Sequence, residues 1–169
     1  MNVIAPRLPT YTLQAIPDGK DGTAATLKIM SQLVKNGKKS PLIIELARRI
    51  VRGIPPKQWS KEIAAIQQWV KNNIRYTKDI RGVETIQTPE QTLRLRTGDC
   101  DDMSILVASL LETIGHPTRF KAIGFQPGSF NHVFPETKIA HKWVSVETTE
   151  PVGLGWIPKG VRAQIVRHN

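Results

Sequence analysis

The chain has a single cysteine, Cys100, in 169 residues. An intrachain disulfide is therefore excluded, and a reducing compartment is the simplest home for the thiol. Aromatic residues make up only 6% and are not interleaved with basic ones, which argues against a base-stacking nucleic-acid surface. No uninterrupted apolar run approaches the ~20 residues needed to span a bilayer. The stretch from Met1 to Thr12 carries prolines where a signal peptide would carry an apolar core, so the expected location is cytoplasmic. Internal repeats and low-complexity segments are absent.

Acidic residues are scarce at the start of the chain. Residues 1–60 hold Asp18, Asp21 and Glu45 against ten of the 24 basic residues, so much of the net charge of +10 is concentrated there. Such an excess suits an acidic protein or an anionic surface, and nucleic acid is the less favoured partner. A solvated basic face is its commonest explanation. With 40% hydrophobic residues and this length, the chain has material for one ordinary core.

Proline and glycine punctuate the rest. Residues 1–22 read as extended, with Pro6, Pro9 and Pro17 breaking any helix and Pro17-Asp18-Gly19 forming a turn. Helical spacing of Leu27, Ile29, Met30, Leu33 and Val34 predicts a helix from Thr23 to Asn36. A second runs from a Ser40 cap and Pro41 to Gly53. After Pro55-Pro56 a third is capped by Ser60, with Ile63, Ile66, Val70 and Ile74 on its core face. Residues 75–87 read as loop, and Thr88-Pro89-Glu90 opens a short turn or helix.

The fourth helix is the most regular. It begins at Asp99 or Cys100, places Met103, Leu106, Val107, Leu110, Leu111 and Ile114 on one face, and closes at Gly115. Cys100 stands three residues before Met103, so its sulfur points toward whatever that face packs on. Segments 119–125, 130–134 and 142–148 alternate in polarity and predict a sheet as the packing partner. The last of them puts Trp143, Ser145 and Glu147 on one face.

A free thiol titrates near ~8.5, and bringing it to ~6 takes about 3.4 kcal/mol of differential stabilisation. A helix N-terminus supplies ~0.3–1 kcal/mol and at best ~2, while Asp99, Asp101 and Asp102 push the other way. The missing contribution is an imidazolium paired with the sulfur, backed by a carboxylate that fixes its tautomer. Among the four histidines, His116 reads as a solvated turn residue and His168 as tail. His141 lies beside Lys142, a cation that disfavours a second one. His132 is therefore the preferred base and Glu147 the preferred carboxylate. The N–H of Cys100, at the unsatisfied end of the helix, would serve as an oxyanion donor. Three adjacent acids at a helix start are capping residues more often than metal ligands, so neither a metal nor a cofactor is expected. A lone cysteine on a helix face is itself more often a core residue than a nucleophile. The Gly-Asp turn in front of this one and the acids around it favour chemistry.

Several segments together resemble the transglutaminase-like superfamily of papain-type thiol enzymes, particularly its small bacterial and phage-encoded members. They are Ile74-Arg75-Tyr76, Gln87-Thr88-Pro89-Glu90, Gly98-Asp99-Cys100-Asp101-Asp102, Gly115 to Phe120, Gly124 to Gly128, Asn131-His132-Val133 and Trp143 to Thr148. The resemblance runs from about Trp59 to Trp156. It implies an α+β papain-like fold in which the nucleophile helix packs on an antiparallel sheet. The core would span residues 59–169, preceded by a basic arm and helices over 1–58 to which the resemblance assigns no role. It makes Cys100 the nucleophile, His132 the general base and Glu147 the third member, in a peptidase or amidase acting through a thioester on a polypeptide or peptide amide. A phage-encoded member would work in the host cytoplasm or the virion. The third position is normally aspartate in this family; Glu147 is one methylene longer, and Glu150 is the fallback. The competing expectation is a catalytically inactive virion-structural or binding module that docks on an acidic partner through its basic N-terminal region.

Overall fold

Residues 15–79 and 85–169 are described in the computed structural model. The chain runs α1 (Gly19–Gly37), α2 (Pro41–Ile50), α3 (Trp59–Asn73), β1 (Arg75–Tyr76), α4 (Pro89–Leu95), β2 (Thr97–Gly98) and α5 (Cys100–Thr113). It continues through β3 (Thr118–Gly124), β4 (His132–Ile139), β5 (Lys142–Ser145) and β6 (Ala163–His168). The expected α+β architecture, helices on an antiparallel sheet, is the one observed. Among the described residues no helix is long and apolar enough to cross a membrane.

Helix α5 is the axis around which the rest is assembled. A one-sided helix was the expectation, but every residue from Asp101 to Leu111 is buried. The reason is that α5 has neighbours on all sides. Ile63, Ile66 and Val70 of α3 and Ile43 of α2 share a cluster with Leu106 and Leu110, while Leu27, Met30 and Val34 of α1 share another with Ile105, Ala108 and Phe120. The serines and alanines that look polar or neutral in sequence, Ser104, Ala108 and Ser109, are thus interior contacts. At its C-terminal end the His116 N–H donates to the Leu111 carbonyl at 3.0 Å and the Gly115 N–H to Glu112 at 3.2 Å, closing the helix as a Schellman motif.

The sheet order is β5-β4-β3-β6 with every pair antiparallel. Strand β6 was not anticipated. It is an edge strand whose burial alternates only between partial and exposed, so its sequence carries little hydrophobic contrast. His168 belongs to this strand, where its ring stands edge-on to Trp143 at 5.3 Å. Strands β1 and β2 form a two-residue parallel pair, Arg75 with Thr97 and Tyr76 with Gly98. This pairing gives part of the expected loop a fixed position beside the start of α5.

Helix starts differ from expectation in instructive ways. The arm expected over residues 1–22 lies outside the described residues up to 14, and its end is already helical from Gly19. That extra turn buries Gly22, a residue with no side chain to give an apolar signal. Ser40 occupies the N-cap position of α2 but its side chain makes no cap bond. Ser60 lies inside α3, because the Gln58 carbonyl accepts from the Lys61 and Glu62 N–H groups and starts the helix earlier. Thr88 does cap α4, accepting from the Gln91 N–H.

Candidate active site

The start of α5 is over-determined. Asp99 Oδ1 accepts from the N–H groups of Asp101 at 2.9 Å and Asp102 at 3.2 Å, and Asp102 reaches back to the Asp99 N–H at 3.3 Å. This is a reciprocal capping box. Together with the Met103 N–H bonded to the Asp99 carbonyl, the cap uses the first-turn donors at 101, 102 and 103. It does not use that of Cys100, the donor an oxyanion would need. Capping is therefore the role of Asp99 and Asp102. Ligand atoms of Asp99, Cys100 and Asp101 lie within 4.8 Å of one another, a spacing that consecutive residues rounding a helix start reach without an ion.

Gly98 is required here, since a Cβ on it would meet the Asp102 Cβ at 2.6 Å. Gln87 completes the clamp: its N–H and Nε2 donate to Asp102 Oδ1 and Oδ2 at 2.7 and 2.8 Å. Gln87, part of a motif in the sequence, thus holds Asp102 under the turn that carries Cys100. Burial pushes the Asp102 carboxyl up to about 7, further than the Gln87 and Asp99 N–H bonds pull it back. A carboxyl whose folded pKa is raised contributes most stability below its unfolded value, near 4, and loses it as pH rises through about 7. We therefore expect the urea unfolding free energy to fall between about pH 4 and pH 7 by up to ~1.4 kcal/mol per unit, with Asp102→Asn flattening that slope. Identical slopes in the two proteins would rule out Asp102 as the titrating group.

His132 is the first residue of β4, and its Nε2 is 2.6 Å from Glu147 Oε2. Glu147 lies just beyond β5, 1% exposed. Its Oε1 accepts from the Thr149 N–H at 2.7 Å and the Thr149 hydroxyl at 2.8 Å, and Gln67 of α3 donates to its carbonyl at 2.7 Å. Burial alone would raise the Glu147 carboxyl; the His132 bond and charge and the two Thr149 bonds outweigh it and hold the group below the ordinary carboxylate range. The longer side chain thus spans the distance to the ring. Glu150, the fallback, is exposed.

The sulfur meets the same stretch of β4. The Val133 N–H donates to Cys100 Sγ, and Ser104, one turn on, donates to the Val133 carbonyl at 3.3 Å. Cys100 and His132 line one cavity of about 250 Å³. With Nε2 engaged by Glu147, Nδ1 is the ring nitrogen left for the thiol. The thiol hydrogen itself points to Asp101 Oδ1 at 3.5 Å. Burial first, then the charges of Asp101 and Asp99, push the Cys100 thiol up, and the Val133 N–H offsets this only in part. This differs from the sequence expectation of a lowered thiol. The physical reason is that Asp101 is nearer in the electrostatic sense than a chain-level reading could weigh, and the helix start is largely dry.

The other histidines separate cleanly. His116 is not solvated: it is 7% exposed, and its Nε2 meets Glu62 Oε2 at 2.8 Å. His141 sits with Ala140 in the β4–β5 turn, both at positive φ. It lies beyond the far end of β4 from His132, roughly 24 Å along the strand at ~3.4 Å per residue. Tyr76, quoted in sequence only as part of a motif, belongs to the thiol's surroundings: burial, then the charges of Cys100, Asp99, Asp101 and Glu150, raise its phenol.

A family model of the transglutaminase-like superfamily matches residues 44–158, more than half of the chain, and the chain belongs to that superfamily. Two solved structures share its fold. One, from Cytophaga hutchinsonii and named a "putative cysteine protease", is 24% identical with a TM-score of 0.56, and the match covers 80% of this chain and 46% of that one. The other, from Parabacteroides distasonis and named a "putative protease", is 13% identical with a TM-score of 0.61, covering 84% of this chain and 32% of its counterpart. The chain therefore spans less than half the length of either. No curated protein matches it.

Proposed function

We propose that the protein is a cysteine hydrolase of peptide or side-chain amides, with residues 59–169 as its catalytic core and Cys100, His132 and Glu147 as its triad. The observation that carries this reading is the 2.6 Å contact between His132 Nε2 and a buried Glu147 in a ring that shares a cavity with the only thiol. A buried carboxylate bonded to one imidazole nitrogen leaves the other to act on a nucleophile.

In this mechanism His132 Nδ1 takes the thiol proton as Sγ bonds to the amide carbonyl carbon. The oxygen acquires the charge and is met by the Cys100 N–H, the first-turn donor that the Asp99 cap leaves aside. His132 then passes its proton to the leaving nitrogen, the C–N bond breaks, and a thioester remains. Water adds to that thioester, giving its proton to Nδ1; the C–S bond then breaks, Nδ1 returns the proton to Sγ, and the carboxylic acid leaves. Because the resting thiol is held protonated by burial and by Asp101, proton transfer accompanies attack rather than preceding it.

The test is intact-mass detection of an acyl adduct on Cys100 during incubation with peptide libraries and cell-wall fragments, with Cys100→Ser as the blank. A mass gain equal to the acyl group, together with product release lost in the blank, is the expected result. Complete inertness would favour the second reading, a binding or virion-structural module docking on an acidic partner through Lys28, Lys35, Lys39, Arg48 and Arg52, all exposed. That reading draws support from the thiol's bond to Asp101.

A further inference from the structure

The cavity that Cys100 and His132 share is not built by the sheet and α5 alone. One wall is the beginning of α1 and the residues just before it, Ile16 to Thr26, which precede the 44–158 match to the superfamily. This wall is fixed in place. Gly22 packs so closely that a Cβ on it would stand 1.7 Å from the Pro17 carbonyl oxygen, and a carbon added at Gly19 would come within 3.9 Å of the Gly128 carbonyl oxygen in the β3–β4 loop. The apolar surface open to the cavity comes from Ile16, Pro17 and Phe130, with the almost wholly buried Leu27, Met30, Ala122 and Val133 behind them. At the rim stands Asp18, exposed, in the N-cap position of α1 yet making no cap bond with its side chain.

We infer that this cavity is the specificity pocket of the proposed hydrolase. It takes a substrate side chain with an aliphatic stem and a cationic end, lysine- or arginine-like, next to the scissile amide. The inference rests on the reading of Cys100 as the nucleophile. At about 250 Å³ the space is below the ~300–1,000 Å³ of pockets that take drug-sized ligands, which suits one side chain. Methylenes pack against Ile16 and Phe130 while the charge stays at the wet edge beside Asp18. The charged groups lining the cavity are Asp18, Asp101 and, when protonated, His132, so a substrate carboxylate is disfavoured. Lys20 and Asp21, opposite in charge and next in the chain, are exposed and neither lines the cavity. The cation is a recognition group held at the rim, away from the sulfur, and takes no part in bond making.

Because Cys100 is the only cysteine, the pocket can be read through thiol labelling without any catalysis. Rates are measured for aminoethyl, methyl and sulfonatoethyl methanethiosulfonates at one pH and ionic strength, each reagent forming a mixed disulfide with Cys100 and releasing methanesulfinate. The ratio of cationic to anionic rates cancels the thiolate fraction. Removing the rim carboxylate slows the cation and speeds the anion by about two- to threefold each, the scale of one unit charge acting through water over several ångströms, so Asp18→Asn should lower the ratio roughly fivefold. A ratio unchanged by Asp18→Asn overturns the proposal. Should the ratio shift while no library substrate acylates Cys100, the pocket stands and the hydrolase reading falls. When substrates are found, those with Lys beside the scissile bond should be preferred over Glu, and Asp18→Asn should erode that preference through KM.

Discussion

Replacing Glu147 with glutamine should lower amide hydrolysis by roughly 10³–10⁴-fold while leaving the fold intact, the scale seen when the carboxylate behind a triad histidine becomes an amide. The argument is one of hydrogen-bond direction. Oε1 of Glu147 accepts two bonds from Thr149, so the glutamine carbonyl stays on that side and its amino group turns to His132. An amino group can only donate, which makes His132 Nε2 an acceptor and moves the ring proton to Nδ1. Nδ1 is the nitrogen that must receive the thiol proton, and it would already hold one. The distance of 2.6 Å and the burial of residue 147 would survive, so a loss of turnover with unchanged thermal unfolding isolates the tautomer. Activity within tenfold of the parent would remove Glu147 from the machinery.

The second large effect concerns the thiol. Cys100 is pushed up by burial and by the charges of Asp101 and Asp99, so in the parent protein iodoacetamide alkylation should keep rising as pH passes 9, with little thiolate at neutrality. Asp101→Asn removes one of those charges and leaves an oxygen that can still accept the thiol hydrogen. Its profile should move to lower pH, and its rate at pH 7.5 should rise about tenfold, the equivalent of one pKa unit. Asp99 is the wrong residue for this experiment, because it also caps α5. A parent profile half-maximal well below pH 8 and lost in His132→Ala would instead mean a preformed thiolate–imidazolium pair, as the sequence alone had suggested.

That contrast shows where a chain-level reading reaches its limit. His132 and Glu147 stand out as candidates because few residues of the right chemistry are available: four histidines, two of them in flanking positions, and few acids after residue 112. Their contact follows from a hairpin whose turn carries two positive-φ residues and whose register pairs Glu136 with Ser145, after which the Val146 N–H bonds to the Pro135 carbonyl and keeps the chain beside β4. Ser40 and Ser60 failed as caps and Asp99 succeeded because capping is a matter of φ, ψ and the carbonyls nearby, not of residue type alone. His116 looked like a loop residue only because its partner, Glu62, lies 54 positions away.

By itself the sequence determined the material: a lone thiol at the start of the most apolar helix, the alternating segments that make a sheet, and a basic N-terminal third. Those follow from periodicity and turn chemistry, which act over a few residues. Only the tertiary structure decided that α5 is wrapped on every side and that α1 walls the cavity beside Cys100. It also decided that Gln87 braces Asp102 and that the thiol rests against a carboxylate in a place with little water. Each of these depends on residues far apart in the chain approaching within a few ångströms, and the charge state of a buried group is set by that approach.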